Sequence, residues 1–169
     1  HRVQFHKEYI KKSVSRLNLA DDDLLKAYQF ARIINHYQGF KLIQEASEKF
    51  NWNLNLSEIA RIWTNGCIIR SSLMEELVSI FKETNTILIH SKISKVIIDC
   101  KPSIKRVVSD CVLSDVTTPA LSEALQFFNG ITTQHSSANI IQAQRDYFGA
   151  HTYQRIDDAS GKFYHTNWV

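Results

Sequence analysis

Apolar residues recur at helical spacing along most of this chain, and polar clusters cut the pattern into segments. Arg2 to Lys12 reads as a helix with Val3, Phe5, Tyr9 and Ile10 free to pack, followed by a polar link from Ser13 to Ala20. Asp21-Asp22-Asp23 opens the next element, because a carboxylate at an N-cap accepts orphan N–H groups and complements the helix dipole. The run Leu24 to Phe50 is apolar on more than one face (Leu24, Leu25, Tyr28, Ala31, Ile34, Leu42, Ile43, Ala46), the pattern of a buried central helix. Gly39 inside that helix costs about 1 kcal/mol against Ala and predicts a close helix crossing. After a loop over Asn51 to Leu56, Ser57 is the expected N-cap of a short helix, Ile59 to Trp63, which stops at Asn65-Gly66. The next helix is predicted from Cys67 to Lys82, with Ile69, Leu73, Leu77, Ile80 and Phe81 in one stripe and Thr84-Asn85-Thr86 as its break.

Ile87 to Ser114 predicts two helices. Val96-Ile97-Ile98 is β-branched, but Leu88, Ile89, Ile93, Val96 and Ile97 keep helical spacing, and Lys101-Pro102-Ser103 marks the start of the second. Thr118 and Pro119 repeat the device for a helix ending at Phe128, where Asn129-Gly130 stops it. Ser136 or Ser137 then caps a helix over Ala138 to Phe148, with Gly149 as the left-handed residue past its end. Beyond Gly149 the helical period vanishes. Asp157 to Gly161 is a turn cluster, and Phe163, Tyr164 and Trp168 are large apolar groups that call for a partner surface. The predicted architecture is one all-α domain over 1–169 with about seven helices: a helical body, 1–150, and an extended C-terminal tail, 151–169.

Composition narrows the function classes. A chain of 169 residues with 44% apolar content is long enough for a real core. A net charge of +3 is too mild and too dispersed to indicate a nucleic-acid partner. No run approaches the ~18 apolar residues of a membrane span, and no secretory signal opens the chain, so no membrane partner is expected. Cys67, Cys100 and Cys111 lack CxxC spacing, which favours reduced, mostly buried thiols in a cytoplasmic protein and argues against a metal site. The abrupt start at His1, inside a helical pattern, reads as a fragment.

The densest chemistry lies in Ile140-Ile141-Gln142-Ala143-Gln144-Arg145-Asp146-Tyr147-Phe148-Gly149-Ala150-His151-Thr152-Tyr153. Arg145 stands one turn inside a helix end and His151 just beyond it. Arg carries a planar donor fork suited to phosphate or carboxylate. On spacing alone, a surface ion pair for Arg145 and simple stacking for His151 are the commoner roles. His36, between Asn35 and Tyr37, reads as a packed helix histidine, and His6, His90 and His135 have no partner at metal-ligand spacing. Ser71-Ser72 has no His or Asp in a triad arrangement, which argues against a hydrolase. There is no GxGxxG and no βαβ pattern around the five glycines, so the chain does not encode a dinucleotide fold.

The wording of that stretch, IIQAQRDYFGAHTYQR followed by FYHTNW, closely resembles the C-terminus of the 6-phosphogluconate dehydrogenase family. A second block, Gly66-Cys67-Ile68-Ile69-Arg70-Ser71, resembles that family's GCIIRS motif, and Arg32-Ile33-Ile34 with Gln38-Gly39-Phe40 also fits. The resemblance runs from about Asp21 to Trp168 and is weakest between Thr84 and Val116. It implies a helical, dimer-forming, substrate-binding domain of an NADP-dependent enzyme that oxidatively decarboxylates 6-phosphogluconate to ribulose 5-phosphate. It also implies substrate-phosphate binding by Arg70, and by Arg145 and His151 reaching into the neighbouring subunit of a homodimer. The family's nucleotide domain, its lysine base, glutamate acid and a phosphate-contacting lysine precede this segment, so the lone chain is expected to be inactive and to carry no catalytic residue of its own. Two departures stand beside the motifs: Thr64-Asn65 replaces a small-residue run with an arginine, and Phe128 to Thr132 replaces a Tyr-Asp-containing run. A non-catalytic helical dimerisation module is the alternative from another class. Another β-hydroxyacid dehydrogenase is the nearer rival, and the QRDYFGAH wording speaks against it.

Overall fold

The computed structural model describes residues 17–168, and the helix expected over Arg2 to Lys12 lies outside them. The chain forms two compact units, His1–Phe128 and Asn129–Val169. As expected, the described residues are overwhelmingly helical: α1 (Asp21–Phe50), α2 (Leu56–Trp63), α3 (Ser72–Glu83), a 3-10 turn (Ile87–Ile89), α4 (Ser91–Leu113), α5 (Pro119–Thr132) and α6 (Ala138–Gly149). A two-residue hairpin, β1 (Tyr153–Gln154) with β2 (Phe163–Tyr164), completes them. No helix among the described residues is long and apolar enough to cross a membrane.

The core of the first unit rests on α1 and α4. Along α4 the buried residues Ile93, Ile97, Cys100, Ile104, Val107 and Cys111 alternate in steps of four and three, which lines them up on one face. The buried face of α1 supplies Ala27, Phe30, Ala31, Ile33 and Ile34. Phe40 extends the core toward α2 and α3, with ring centroids 5.2 Å from Trp63 and 4.5 Å from Phe81. Asp23 ties the two long helices together: its carboxylate accepts Ser103 Oγ at 2.7 Å and Arg106 Nε at 3.0 Å. These bonds, led by that from Arg106, hold its pKa at about 2. The acidic triplet therefore works differently from expectation. Ala20 is the N-cap and makes no side-chain bond, while Asp23 cross-links helices.

Several boundaries moved, each for a local reason. Asn55, not Ser57, caps α2, accepting the Glu58 N–H at 3.2 Å; Ser57 is buried inside the helix and donates to the Val78 carbonyl at 2.6 Å. Cys67 to Ser71 is a turn and not the first part of α3. Pro102 lies within a continuous α4 and does not open a second helix. An internal proline costs ~3 kcal/mol, whereas each large apolar side chain of the α4 stripe contributes ~1.5–3 kcal/mol on burial, so packing outweighs the break. Asn129 and Gly130 continue α5 for the same kind of reason, since a glycine costs only about 1 kcal/mol. Gly39 is exposed, and a Cβ built there meets nothing within 4 Å, so no described element makes the expected close crossing there. Leu24, Leu25, Tyr28 and Leu42 of α1 are likewise exposed within this chain, which leaves α1 buried on one face and not all round.

In the second unit the tail is extended as expected, and its ends pair: Tyr153 lies opposite Tyr164, with the rings stacked at 6.3 Å. Trp168 finds its partners on α6. Its indole Nε1 donates to Asp146 Oδ2 at 2.9 Å and its ring meets Tyr147 edge-on at 6.0 Å. Phe163 stays exposed, as do Ile140, Ile141 and Phe148 of α6.

Candidate functional site

Arg70 is placed by a short turn. Gly66 takes φ +77°, a left-handed conformation that glycine adopts without a Cβ clash, and the Arg70 N–H closes on the Cys67 carbonyl at 3.0 Å. Ser71 then caps α3, its Oγ accepting the Met74 N–H at 3.2 Å. Arg70 is thereby fixed one residue before a capped helix, with its side chain exposed. It lines a pocket of about 410 Å³ within the first unit, walled by Tyr28, Arg32, Asn35 and His36 of α1 and by Ala120 and Leu121 of α5. That is a usual size for a small-molecule site, ~300–1,000 Å³. No carboxylate among the described residues lines it.

Arg32 was not named as a site residue from the sequence, although Tyr28, Arg32 and His36 follow one another at i, i+4 spacing and so share a face of α1. Its guanidinium lies 6.0 Å from the Tyr28 ring centroid. His36 is half-buried, as a packed histidine should be, and its Nδ1 donates to the Arg32 carbonyl at 2.7 Å. Burial pushes its pKa below the ordinary value, which keeps the ring neutral at physiological pH, and its Nε2 is buried without a hydrogen-bond partner.

Arg145 and His151 belong to the second unit, at the C-terminal end of α6. Both are exposed; Arg145 has only a long contact, 3.5 Å, from Nη1 to Gln142 Oε1. Neither lines the pocket of about 320 Å³ that the hairpin and α6 enclose in the same unit. What fixes this segment is the residue between them that sequence reading passed over. Asp146 is fully buried and accepts four hydrogen bonds: from Thr152 N–H (2.9 Å), His165 Nδ1 (3.0 Å), Thr166 N–H (3.0 Å) and Trp168 Nε1 (2.9 Å). Burial by itself would raise its pKa, but these donors outweigh it and hold the carboxyl well below the usual carboxylate range.

The left-handed residue at the end of α6 is Ala150, at φ 49°, and not Gly149, which stays helical; Thr152 is also left-handed, at φ 59°. Glycine is needed at 149 for a different reason. A Cβ there would meet His151 Cδ2 and Nε2 at 3.2 Å, so the imidazole rides on the bare backbone. Gly149→Ala is therefore expected to gain ~0.5–1 kcal/mol of helix propensity while turning the exposed ring away. Thermal melting should be unchanged or slightly raised. Affinity for a His151-bound ligand, measured by titration in the full-length protein, should fall several-fold.

A dinucleotide needs a glycine-rich loop between a parallel strand and a helix. The strands among the described residues are two residues long and antiparallel. The described residues do not fit an NADP cradle of that kind.

The chain is similar to known proteins. The family described as "6-phosphogluconate dehydrogenase, C-terminal domain" matches residues 1–168. The decarboxylating 6-phosphogluconate dehydrogenase of Chlamydia trachomatis is 39% identical over 151 residues, which is 88% of this chain and 32% of that protein. The Caenorhabditis elegans enzyme is 38% identical over 177 residues, covering 99% of this chain and 36% of its own length. Plasmodium falciparum 6-phosphogluconate dehydrogenase, solved in its apo form, with its cofactor NADP+ and with its substrate 6-phosphogluconate, superposes with a TM-score of 0.90 at 35% identity. That superposition takes in 99% of this chain and 37% of the Plasmodium chain. The chain thus spans about a third of the length of these relatives. With a matching fold and the family match running almost end to end, the chain belongs to the 6-phosphogluconate dehydrogenase C-terminal domain family.

Proposed function

We propose that this chain is the substrate-binding and dimerisation domain of a cytoplasmic, NADP-dependent enzyme that oxidises 6-phosphogluconate with loss of CO2 to ribulose 5-phosphate. Arg70 binds the substrate phosphate from its own subunit, and Arg145 and His151 bind it from the partner subunit of a homodimer. A phosphate monoester carries close to two negative charges and offers three acceptor oxygens, which suits several charge-assisted donors. The supporting observation is the state of Arg145 and His151. Both are exposed at the end of a helix, beside the Thr152 backbone that Asp146 clasps, and neither has an ion-pair partner among the described residues. The exposed apolar groups Ile140, Ile141, Phe148 and Phe163 also call for a covering surface, as at a subunit interface.

The test is made on the full-length protein. It should sediment as a dimer at micromolar concentration and reduce NADP only when given 6-phosphogluconate, with CO2 released in equal amount. A dimer without turnover would favour the non-catalytic module, and a monomer would remove the shared site altogether.

A further inference from the structure

The α1 wall of the pocket that holds Arg70 carries a second guanidinium for which the reading above has no role. Arg32 is half-buried there, and among the described residues neither Arg32 nor Arg70 has an ion pair or a side-chain hydrogen bond. A half-buried cation without a counter-ion is costly, and here it shares with the exposed Arg70 a pocket that no carboxylate among the described residues lines, which leaves a positive, partly desolvated space. His36 adds no third charge, since burial keeps it neutral. The pocket walls therefore carry two positive charges, and each guanidinium presents its donors in a planar fork.

We infer that Arg32 is a substrate-contacting specificity residue, a second guanidinium on the anionic group that Arg70 binds, which fits this pocket to a dianion such as a phosphate monoester over a carboxylate. A carboxylate brings one charge and two oxygens and satisfies one fork. A phosphate monoester brings nearly two charges and three terminal oxygens and satisfies two. The other use for Arg32 is packing over Tyr28, at 6.0 Å, a contact that carries no preference among ligands. The inference rests on the proposed role of Arg70 as a phosphate ligand.

The experiment titrates the full-length protein with 6-phosphogluconate and with gluconate, which lacks the phosphate, and measures competition by inorganic phosphate. Arg32→Gln, Arg32→Lys and Arg70→Gln are compared with the parent, together with Arg32→Met, which keeps the aliphatic stem should the Gln variant fold poorly. Arg32→Gln and Arg32→Met are expected to weaken 6-phosphogluconate and phosphate at least ~tenfold with gluconate and NADP binding unchanged, and Arg32→Lys, which keeps the charge but not the fork, should recover only part of the loss. If Arg70→Gln loses phosphate selectively while the Arg32 variants lose nothing, or lose both sugars equally, Arg32 only packs on Tyr28 and the inference is overturned. If Arg70→Gln itself shows no phosphate-selective loss, the reading of the pocket fails, and the role of Arg32 falls with it.

Discussion

Arg145→Ala in the full-length protein is expected to raise the substrate constant for 6-phosphogluconate at least ~tenfold and to leave NADP binding nearly unchanged, because a charge-assisted contact is worth about 1.5–3 kcal/mol. Arg145 is exposed and bonded only weakly to Gln142, so its removal should not disturb folding. The stronger form of the experiment uses complementation between subunits. A heterodimer of one Arg70→Ala subunit and one Arg145→Ala subunit places both lesions in one site and leaves the other intact. Purified away from the parent homodimers, it should show about half the wild-type activity, as two-fold symmetry requires. A heterodimer as inactive as either parent would mean that Arg145 acts within its own subunit.

The second large effect is expected at Asp146. Its carboxylate gathers Thr152, His165, Thr166 and Trp168, so one side chain joins α6 to both ends of the hairpin. Asp146→Asn keeps the shape but turns one acceptor oxygen into a donor facing donors. The hairpin should detach while the first unit stays folded. Cleavage after residue 150 by a dilute protease should accelerate by roughly tenfold or more, and helix content should change little. The pH dependence has a definite sign. A carboxyl held below its unfolded value contributes stability that is fully present above the unfolded pKa and is lost as pH falls toward the folded one. Tail protection should therefore be flat at neutral pH and decline only below about pH 4. Asp146→Asn protein should lack that acid transition, and a variant as protected as the parent would show that Trp168 and the strand pairing suffice.

The helical class, the existence of nearly every element and the placement of Arg145 and His151 about a helix end were legible in the sequence, because period and caps are local properties. Positions set by distant partners were not. Ser57 reads as a cap until the Val78 carbonyl arrives from α3, and Asp23 reads as one until Ser103 and Arg106 approach from α4. Pro102 reads as a helix start because the sequence does not weigh a proline against the stripe it interrupts. Arg70 and Arg145 were singled out through motif wording, as candidates. Arg32 and Asp146 were missed because their significance is relational: one lacks a counter-ion, and the other collects donors from up to 22 residues away. Spacing carried a hint for Arg32, which repeats with Tyr28 and His36 along one face. For Asp146 the sequence held no such hint.

The two left-handed residues beside His151 bear on how much ordering a ligand must impose. Ala150 and Thr152 hold conformations that cost non-glycine residues on the order of 1–3 kcal/mol each, and such a backbone persists only where its surroundings over-determine it. Here the Thr152 N–H is clasped by Asp146 and its carbonyl accepts from Gln142 Nε2 at 2.5 Å. Conformational freedom at His151 is thus surrendered when the chain folds, and a ligand arriving later finds less entropy left to remove. Under the role proposed for His151, the segment trades thermodynamic stability of the free protein for tighter capture, and glycine at 150 or 152 would reverse the exchange.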